Sequence, residues 1–542
     1  MNPRVWALAF ALALPQAEPQ RVSVEGVVRD AQTGAPISGA QLRLSGTLPG
    51  ETRPTTVSGV SAQDGTFRLL ALPAEYTLSA QREGYFAHTL YGVWQAVSSQ
   101  KIRVSAEQPP TTLTFNLTAT GVITGQVLDH NGRPASRVPV AAMQMRFAEG
   151  RSTLVAVNTG TTNERGEYRL FWVPPGDYLV AFTPSPLVVL APPIITTGNT
   201  RSIQTLTFFP GTTDRSRARS VSLASGAEVR NINFAIQTVP VFTISGRVDY
   251  PFPPVSPNAA APVSGLPGFS LLSQEALTPN PVSLANANSV PMPSRQQGLF
   301  EFRAIAPGAY DLFATVPSMN GQQSQSGRVS INVGNQDLKD ITIPVQPLFE
   351  LQGRIVPQGV RLPENTTLRL LPIGRTNLPT EAAMGSTGEF RFKNLSAGVY
   401  RLDVVLPDGA FVADLRSNMF QLPAGTSEPL TLSVRGNAGR ITGTVMNAAG
   451  KAGADTTVVL IPERPLRENS MLFATARPDE MGRFSMTRVT PGAYQLFAWG
   501  GVLNTAWLNA DFLSRQEDTG MPMTIDAGSV KDVRLTATPP HE

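Results

Sequence analysis

The sequence predicts an all-β chain of five immunoglobulin-like antiparallel β-sandwich domains in tandem, and three observations carry that expectation. The first is a phrase that recurs down the chain: Gly-x-aromatic, then Pro-Gly-x-Tyr with an apolar residue two positions after the Tyr. It stands as Gly166-Glu-Tyr168 with Pro175-Gly176-Asp-Tyr178, as Gly298-Leu-Phe300 with Pro307-Gly308-Ala-Tyr310, and as Gly482-Arg-Phe484 with Pro491-Gly492-Ala-Tyr494. Looser copies are Gly65-Thr-Phe67 with Pro73-Ala-Glu-Tyr76, and Gly388-Glu-Phe390 with Ala397-Gly398-Val-Tyr400. From Gly to Tyr is twelve residues in four copies and eleven in the first, a regularity that marks one supersecondary unit used repeatedly. The second is a short opening strand upstream of each copy. The third is composition: 46 glycines and 47 prolines against 15% charged residues suit short strands and many turns, and exclude long helices or coiled coil.

Each element follows from its residues. Phe300-Glu-Phe302 and Phe390-Arg-Phe392 alternate apolar and charged side chains, the pattern of a half-buried strand. Pro-Gly presets one φ and accepts a positive one, as a type II turn requires. Tyr310-Asp-Leu312 and Tyr400-Arg-Leu402 then resume the alternation, so the unit reads as a hairpin with its Tyr ring inward at the corner and its hydroxyl on backbone. The opening strands are Val24-Glu-Gly26-Val-Val28, Ile123-Thr-Gly125-Gln-Val127, Ile244-Ser-Gly246-Arg-Val248, Leu351-Gln-Gly353-Arg-Ile355 and Ile441-Thr-Gly443-Thr-Val445. Their central Gly marks a bend or a close approach of backbone. Turns follow at Gly34-Ala-Pro36, Gly132-Arg-Pro134 and Gly450-Lys-Ala452, and strands such as Val329-Ser-Ile331 to Ile341-Thr-Ile343 close each unit. The expected domains are residues 21–119, 120–239, 240–347 with a long loop at 251–297, 348–436 and 437–542, each large enough to bury a core. Short linkers near Thr118 to Gly121 and Thr238 to Val241 predict a semi-rigid rod.

The opening strand, the Asn/Asp-Gly-x-Pro turn and the Gly-x-Phe to Pro-Gly-x-Tyr phrase together resemble the carboxypeptidase regulatory-like domain, a transthyretin- or prealbumin-like β-sandwich. The resemblance extends over nearly all of the chain after residue 20. It implies a repeat protein of the bacterial secreted type, with a carbohydrate-binding-like fold, and it implies no peptidase activity, because the metal ligands of a carboxypeptidase belong to a separate catalytic domain.

Residues 1–20 read as a signal peptide: Arg4, an apolar run from Val5 to Leu14, and small Ala17 before the cleavage region. Ten apolar residues are too few to span a bilayer, so no transmembrane segment is expected in the mature chain, and localisation is expected to be secreted, periplasmic or cell envelope. There is no cysteine to staple an exported fold. A net charge of +4 over 542 residues does not point to nucleic acid; the one basic cluster, Arg215-Ser-Arg217-Ala-Arg219, reads as a solvated turn.

Catalytic machinery is not expected. The three histidines, His88, His130 and His541, lie apart, with no partner at zinc-ligand spacing and no Gly-x-Ser-x-Gly or phosphate-cradling loop elsewhere. Asp64-Gly65 and Asp408-Gly409 read as turns. No cofactor, catalytic residue or metal site is assigned. For binding, sugars stack on exposed aromatic rings with polar neighbours, which makes Tyr85, Tyr91, Trp94, Trp499 and Trp507 the candidates, unless each ring packs under its own loop. Trp172 reads as core. The expected role is a structural or binding array whose partner is a glycan or envelope protein. The alternatives are a carbohydrate-binding protein and an accessory array for a peptidase or outer-membrane transporter.

Overall fold

In all five copies the opening-strand Gly lies directly opposite the motif aromatic: Gly26 faces Phe67, Gly125 faces Tyr168, Gly246 faces Phe300, Gly353 faces Phe390 and Gly443 faces Phe484. The ring lies over the bare backbone. A Cβ at Gly246 would collide with the Ile341 carbonyl and stand 2.8 Å from the Phe300 ring. That double approach explains the Gly, and the aromatic restores the apolar cover that Gly lacks.

The computed structural model describes residues 21–49, 51–90, 93–105, 112–148, 150–184, 194–198, 200–251, 267–274, 298–318, 323–364, 366–373, 379–422, 428–448, 450, 452, 456–479 and 481–540. The expected leader lies outside them. The chain is all-β, and it divides into two compact units: Met1–His88 with Trp94–Thr120, and Thr89–Val93 with Gly121–Glu542.

In the first unit, one sheet has the strand order Thr66–Ala71, Val22–Asp30, Leu113–Ala119, Tyr85–Phe86. The other has the order Pro54–Val60, Gln41–Thr47, Ala74–Gln81, Val97–Val104. Val24, Leu42, Leu44, Leu78 and Phe115 fill the space between them. Opening and closing strands pair in parallel, Val28 opposite Phe115, which departs from a wholly antiparallel sandwich. The second unit repeats this arrangement with the same parallel pair, for example Arg247 opposite Thr342 and Thr444 opposite Arg534, and each motif copy has its own core cluster.

The phrase expected to be a hairpin is a corner between sheets. Strand Thr66–Ala71 pairs with Val22–Asp30, whereas Ala74–Gln81 pairs with Gln41–Thr47, and the other copies divide in the same way. Gly176, Gly308 and Gly398 take φ of 146°, 153° and 157°, far from the type II value, so the chain runs open-angled through Gly into the second sheet. Four copies help the turn with a β-bulge. Gly121 faces Val173 and Ile123 faces Leu170, so two residues, Phe171 and Trp172, oppose the single Val122. The same register shift recurs near Ile244, Leu351 and Ile441. In the first copy the pairing is continuous, Val22 with Ala71 through Val27 with Thr66. The residue missing from its Gly-to-Tyr spacing is thus the bulge residue.

The bulge has a chemical consequence at the Tyr. Tyr178, Tyr310, Tyr400 and Tyr494 donate their hydroxyls to the carbonyls of Pro174, Ala306, Ser396 and Thr490, four residues back, at 2.6, 3.0, 2.8 and 2.7 Å. Burial pushes the phenols of Tyr178 and Tyr494 up, so they stay protonated donors at neutral pH. Tyr76, in the unbulged copy, is buried with no hydrogen-bond partner for its hydroxyl among the described residues.

Two further expectations change. The range 251–297, expected to be a loop, contains a strand, Gly268–Ser273, that pairs with Gly308–Val316 and buries Leu271; Phe269-Ser-Leu271 has the alternation a strand needs, and 252–266 and 275–297 lie outside the described residues. Within the second unit the motif copies also do not follow one another end to end. Asn509 donates its side-chain amide to the Gly150 carbonyl at 2.7 Å, and the Phe147 and Phe512 rings meet at 6.2 Å, joining the second copy to the fifth. A rod would keep them apart.

A hydrogen bond lost from a buried Tyr costs about 1 kcal/mol, whereas removing an unpaired buried hydroxyl costs nothing of that kind. Tyr494→Phe is therefore expected to loosen its copy by about 1 kcal/mol, and Tyr76→Phe to leave the first copy unchanged or tighter. Hydrogen exchange followed by mass spectrometry resolves the copies separately; equal losses at both positions would contradict this account.

Candidate functional site

The aromatic side chains expected to bind a ligand divide between burial and the undescribed residues. Trp499 and Trp507 are 1% and 5% exposed. They belong to a second core on the outer side of the fifth copy's sheet, and this corrects their assignment as stacking platforms. Every residue of Thr456–Pro462 is buried, so this strand needs cover on both faces. The cover is the segment with turns Ala506–Leu508 and Glu517–Thr519 and helix Ala510–Ser514, which lays Trp507, Phe512 and Leu513 over Val459, Ile461, Phe497 and Trp499. Trp499 stacks on Phe497 at 4.5 Å and meets Phe512 edge-on at 5.5 Å. Tyr85 is half-buried against the first core, paired with Ala119. Tyr91 lies outside the described residues, and so does the side chain of Trp94, whose backbone runs in strand Val93–Gln95.

The residue expected in the core is the one on the surface. Trp172 is 48% exposed and its neighbour Phe171 50%, with ring centroids 5.0 Å apart and planes at 86°. Regular alternation along Glu167–Val173 would point Trp172 inward, as it does Tyr168 and Leu170; the bulge adds a residue and sends both rings out. Trp172 has φ of 60°, a conformation that a bulky L-residue adopts only under constraint. At the corresponding bulge positions of the next three copies stand Ala304, Asn394 and Arg488. The fold asks for no aromatic there.

Around the rings the sheet face is polar. Strand Gly121–Leu128 turns Val122 and Thr124 outward, with Thr124 opposite Arg169 and Val122 opposite Glu228. Arg169 reaches across to Glu228 at 3.0 Å, and Arg230 holds its other oxygen at 3.0 Å. The Arg230 guanidinium beside Glu228 keeps that carboxyl below its usual range. Asn158 donates its side-chain amide to the Phe171 carbonyl at 3.0 Å.

A cleft of about 380 Å³ between the third and fourth copies is lined by Phe313, Ser326, Arg328, Gln346, Ser396 and Gln421. Its cation is already engaged. Arg328 pairs with buried Asp311 at 2.7 Å and covers the Phe313 ring at 5.7 Å. Despite burial, Ser330, Arg328 and Gln274 hold the Asp311 carboxyl below its usual range. Among the described residues no unmatched charge is left there for a ligand.

Several other carboxylates organise turns. Asp129 accepts the backbone N–H groups of Asn131 and Arg133 at 2.8 and 2.9 Å, and Asp479 those of Met481 and Arg483 at 2.9 and 2.8 Å. Arg215–Arg217 is an exposed single turn capped by Asp214, and His130 is exposed in its turn. The His88 side chain and His541 lie outside the described residues. Among the described residues no group of three or more His, Cys, Asp or Glu could hold a metal ion, and no helix is long and apolar enough to cross a membrane.

Residues 23–118 match the family model of the carboxypeptidase regulatory-like domain, which identifies the first copy as a prealbumin-like β-sandwich of that kind. No curated protein matches the chain. Among solved structures it is similar to the Bacillus anthracis TIE protein, 11% identical over 97% of this chain and 76% of that one, with a TM-score of 0.14. It is also similar to a Streptococcal ancillary pilin (12% identity, 55% and 99% coverage, TM-score 0.17) and to the shaft pilin SpaA of Lactobacillus rhamnosus GG (10%, 40% and 96%, 0.19). Likenesses this distant carry no argument about this chain.

Two outcomes test the geometry. With the ring gone, the positive φ at 172 still penalises Ala and frees Gly, so Trp172→Gly should be more stable than Trp172→Ala by about 1 kcal/mol, reversing the usual strand order. Exchange protection of residues 121–128 reads the difference. For the turns, backbone N–H groups, foremost those of Arg133 and Arg483, hold Asp129 and Asp479 below the ordinary value of 3.8. Such stabilisation is complete above that value and lost as pH falls through the folded ones, so the thermal midpoint should hold at roughly pH 5 and drop by roughly pH 3. Asp129→Asn with Asp479→Asn should flatten part of that drop.

Proposed function

We propose that the chain is a non-catalytic, secreted or cell-envelope protein in which five prealbumin-like β-sandwiches, at about the boundaries 21–119, 120–239, 240–347, 348–436 and 437–542, form a structural and binding array. The observation that carries this reading is where the polar chemistry goes. Carboxylates organise turns and ion pairs, four motif tyrosines lock corners, and Asp311, a buried carboxylate among the described residues, is matched by Arg328, Ser330 and Gln274. Groups poised to move protons have perturbed pKa values in clefts, and these groups have structural partners instead. Linked copies would give weak surface sites avidity.

Carbohydrate binding is the second reading, and the exposed Phe171–Trp172 pair favours it. Envelope or medium localisation of the mature chain, together with no turnover of fluorogenic peptides or p-nitrophenyl glycosides above buffer, is the expected result. Turnover that follows the protein through successive columns would overturn the non-catalytic reading; a wholly cytoplasmic, uncleaved chain would overturn the envelope one.

A further inference from the structure

We propose that the outer sheet face of the second motif copy, built from Phe171, Trp172, Arg169 and Glu228, is a binding site for a neutral oligosaccharide. The inference rests on the non-catalytic binding reading and locates its ligand.

Four observations converge. Two adjacent rings stand half-exposed on a bulge whose equivalents carry Ala304, Asn394 and Arg488, so packing does not explain them. The bulge holds Trp172 at φ 60°, as it holds Ala304 and Asn394 at 59° and 57°, and of these three only the second copy places a bulky ring where a small or polar residue fits the same backbone more readily. The rings are perpendicular, so one can floor a sugar while the other walls it. Beyond Val122 lies the Arg169–Glu228–Arg230 cluster, whose charged donors and acceptors make strong hydrogen bonds to hydroxyls. From the ring pair across Gly121–Leu128 to Glu228 is two inter-strand spacings, about 10 Å, the length of a disaccharide.

A protein partner fits less well. Two half-exposed rings offer roughly 200 Å² of apolar surface, against the roughly 800 Å² a stable partner covers on each side. The flanking outward residues, Glu167, Arg169, Glu228 and Arg230, are charged, and the cluster is close to neutral in sum, which suits an uncharged ligand.

The test titrates the full chain with cellohexaose, chitohexaose, maltohexaose and xylohexaose, following heat by calorimetry and Trp emission in parallel. At least one sugar should bind. Trp172→Ala should weaken it about tenfold or more, while Trp172→Phe keeps binding within about threefold and loses the emission change. Glu228→Gln should weaken it without altering exchange protection at Gly121–Leu128. Absence of binding by folded protein, binding unchanged in Trp172→Ala, or capture of a proline decapeptide in place of every sugar would each overturn the proposal. Cleavage of a hexasaccharide in the same samples would overturn the non-catalytic reading and leave the site standing, so the two failures are distinguishable.

Discussion

The hydrogen bond from a motif Tyr to the carbonyl four residues behind it holds each of the four bulged corners at which the chain leaves one sheet for the other. A sandwich of this kind needs its aromatic strand to hand over to the facing sheet within a few residues. That demands a backbone that reverses its side-chain alternation and a group that satisfies the carbonyl turned inward by the bend. The bulge supplies the first and the phenol the second. The first copy does without the bulge, and its Tyr76 hydroxyl is correspondingly left over.

The bulge also decides what is displayed. In three copies the extra residue of the bulge is a small, polar or charged side chain, buried at Ala304 and exposed at Asn394 and Arg488. In the second it is Trp172, beside Phe171. A device that shapes the corner in every bulged copy thus becomes, in one, a way of exposing two rings that the strand pattern would have divided between core and surface.

Burial elsewhere works in the opposite direction. The fifth copy has a strand apolar on both faces, and the segment after it folds back to cover the outer one, taking Trp499 and Trp507 with it. The same layer receives Phe147 and hydrogen-bonds Gly150, so it ties the second copy to the fifth. Between the fourth and fifth copies, Asn418 binds Ser470 and Asn469 binds the Leu415 carbonyl at 2.6 Å. Within the second unit these contacts between copies are made of short polar bridges and one aromatic layer.

Strand periodicity, the opening-strand Gly and the Gly-to-Tyr spacing were enough to define an all-β chain of repeated sandwiches, because they are local: alternation reports one buried face, and a Gly opposite an aromatic follows from pairing geometry. Even the eleven-residue spacing of the first copy contained the absent bulge. Three features were settled only by tertiary structure. Which sheet each half of the Pro-Gly phrase joins depends on partners far away in sequence, so a corner and a hairpin read alike. Whether Trp499 or Trp172 meets solvent depends on what folds over the sheet and on a one-residue register shift, neither of which alternation can report. The contact of Asn509 with Gly150 spans 359 positions and leaves no local signal. Local chemistry determined the elements and their repetition; the packing of one sheet face against distant chain decided which aromatics became core and which became surface.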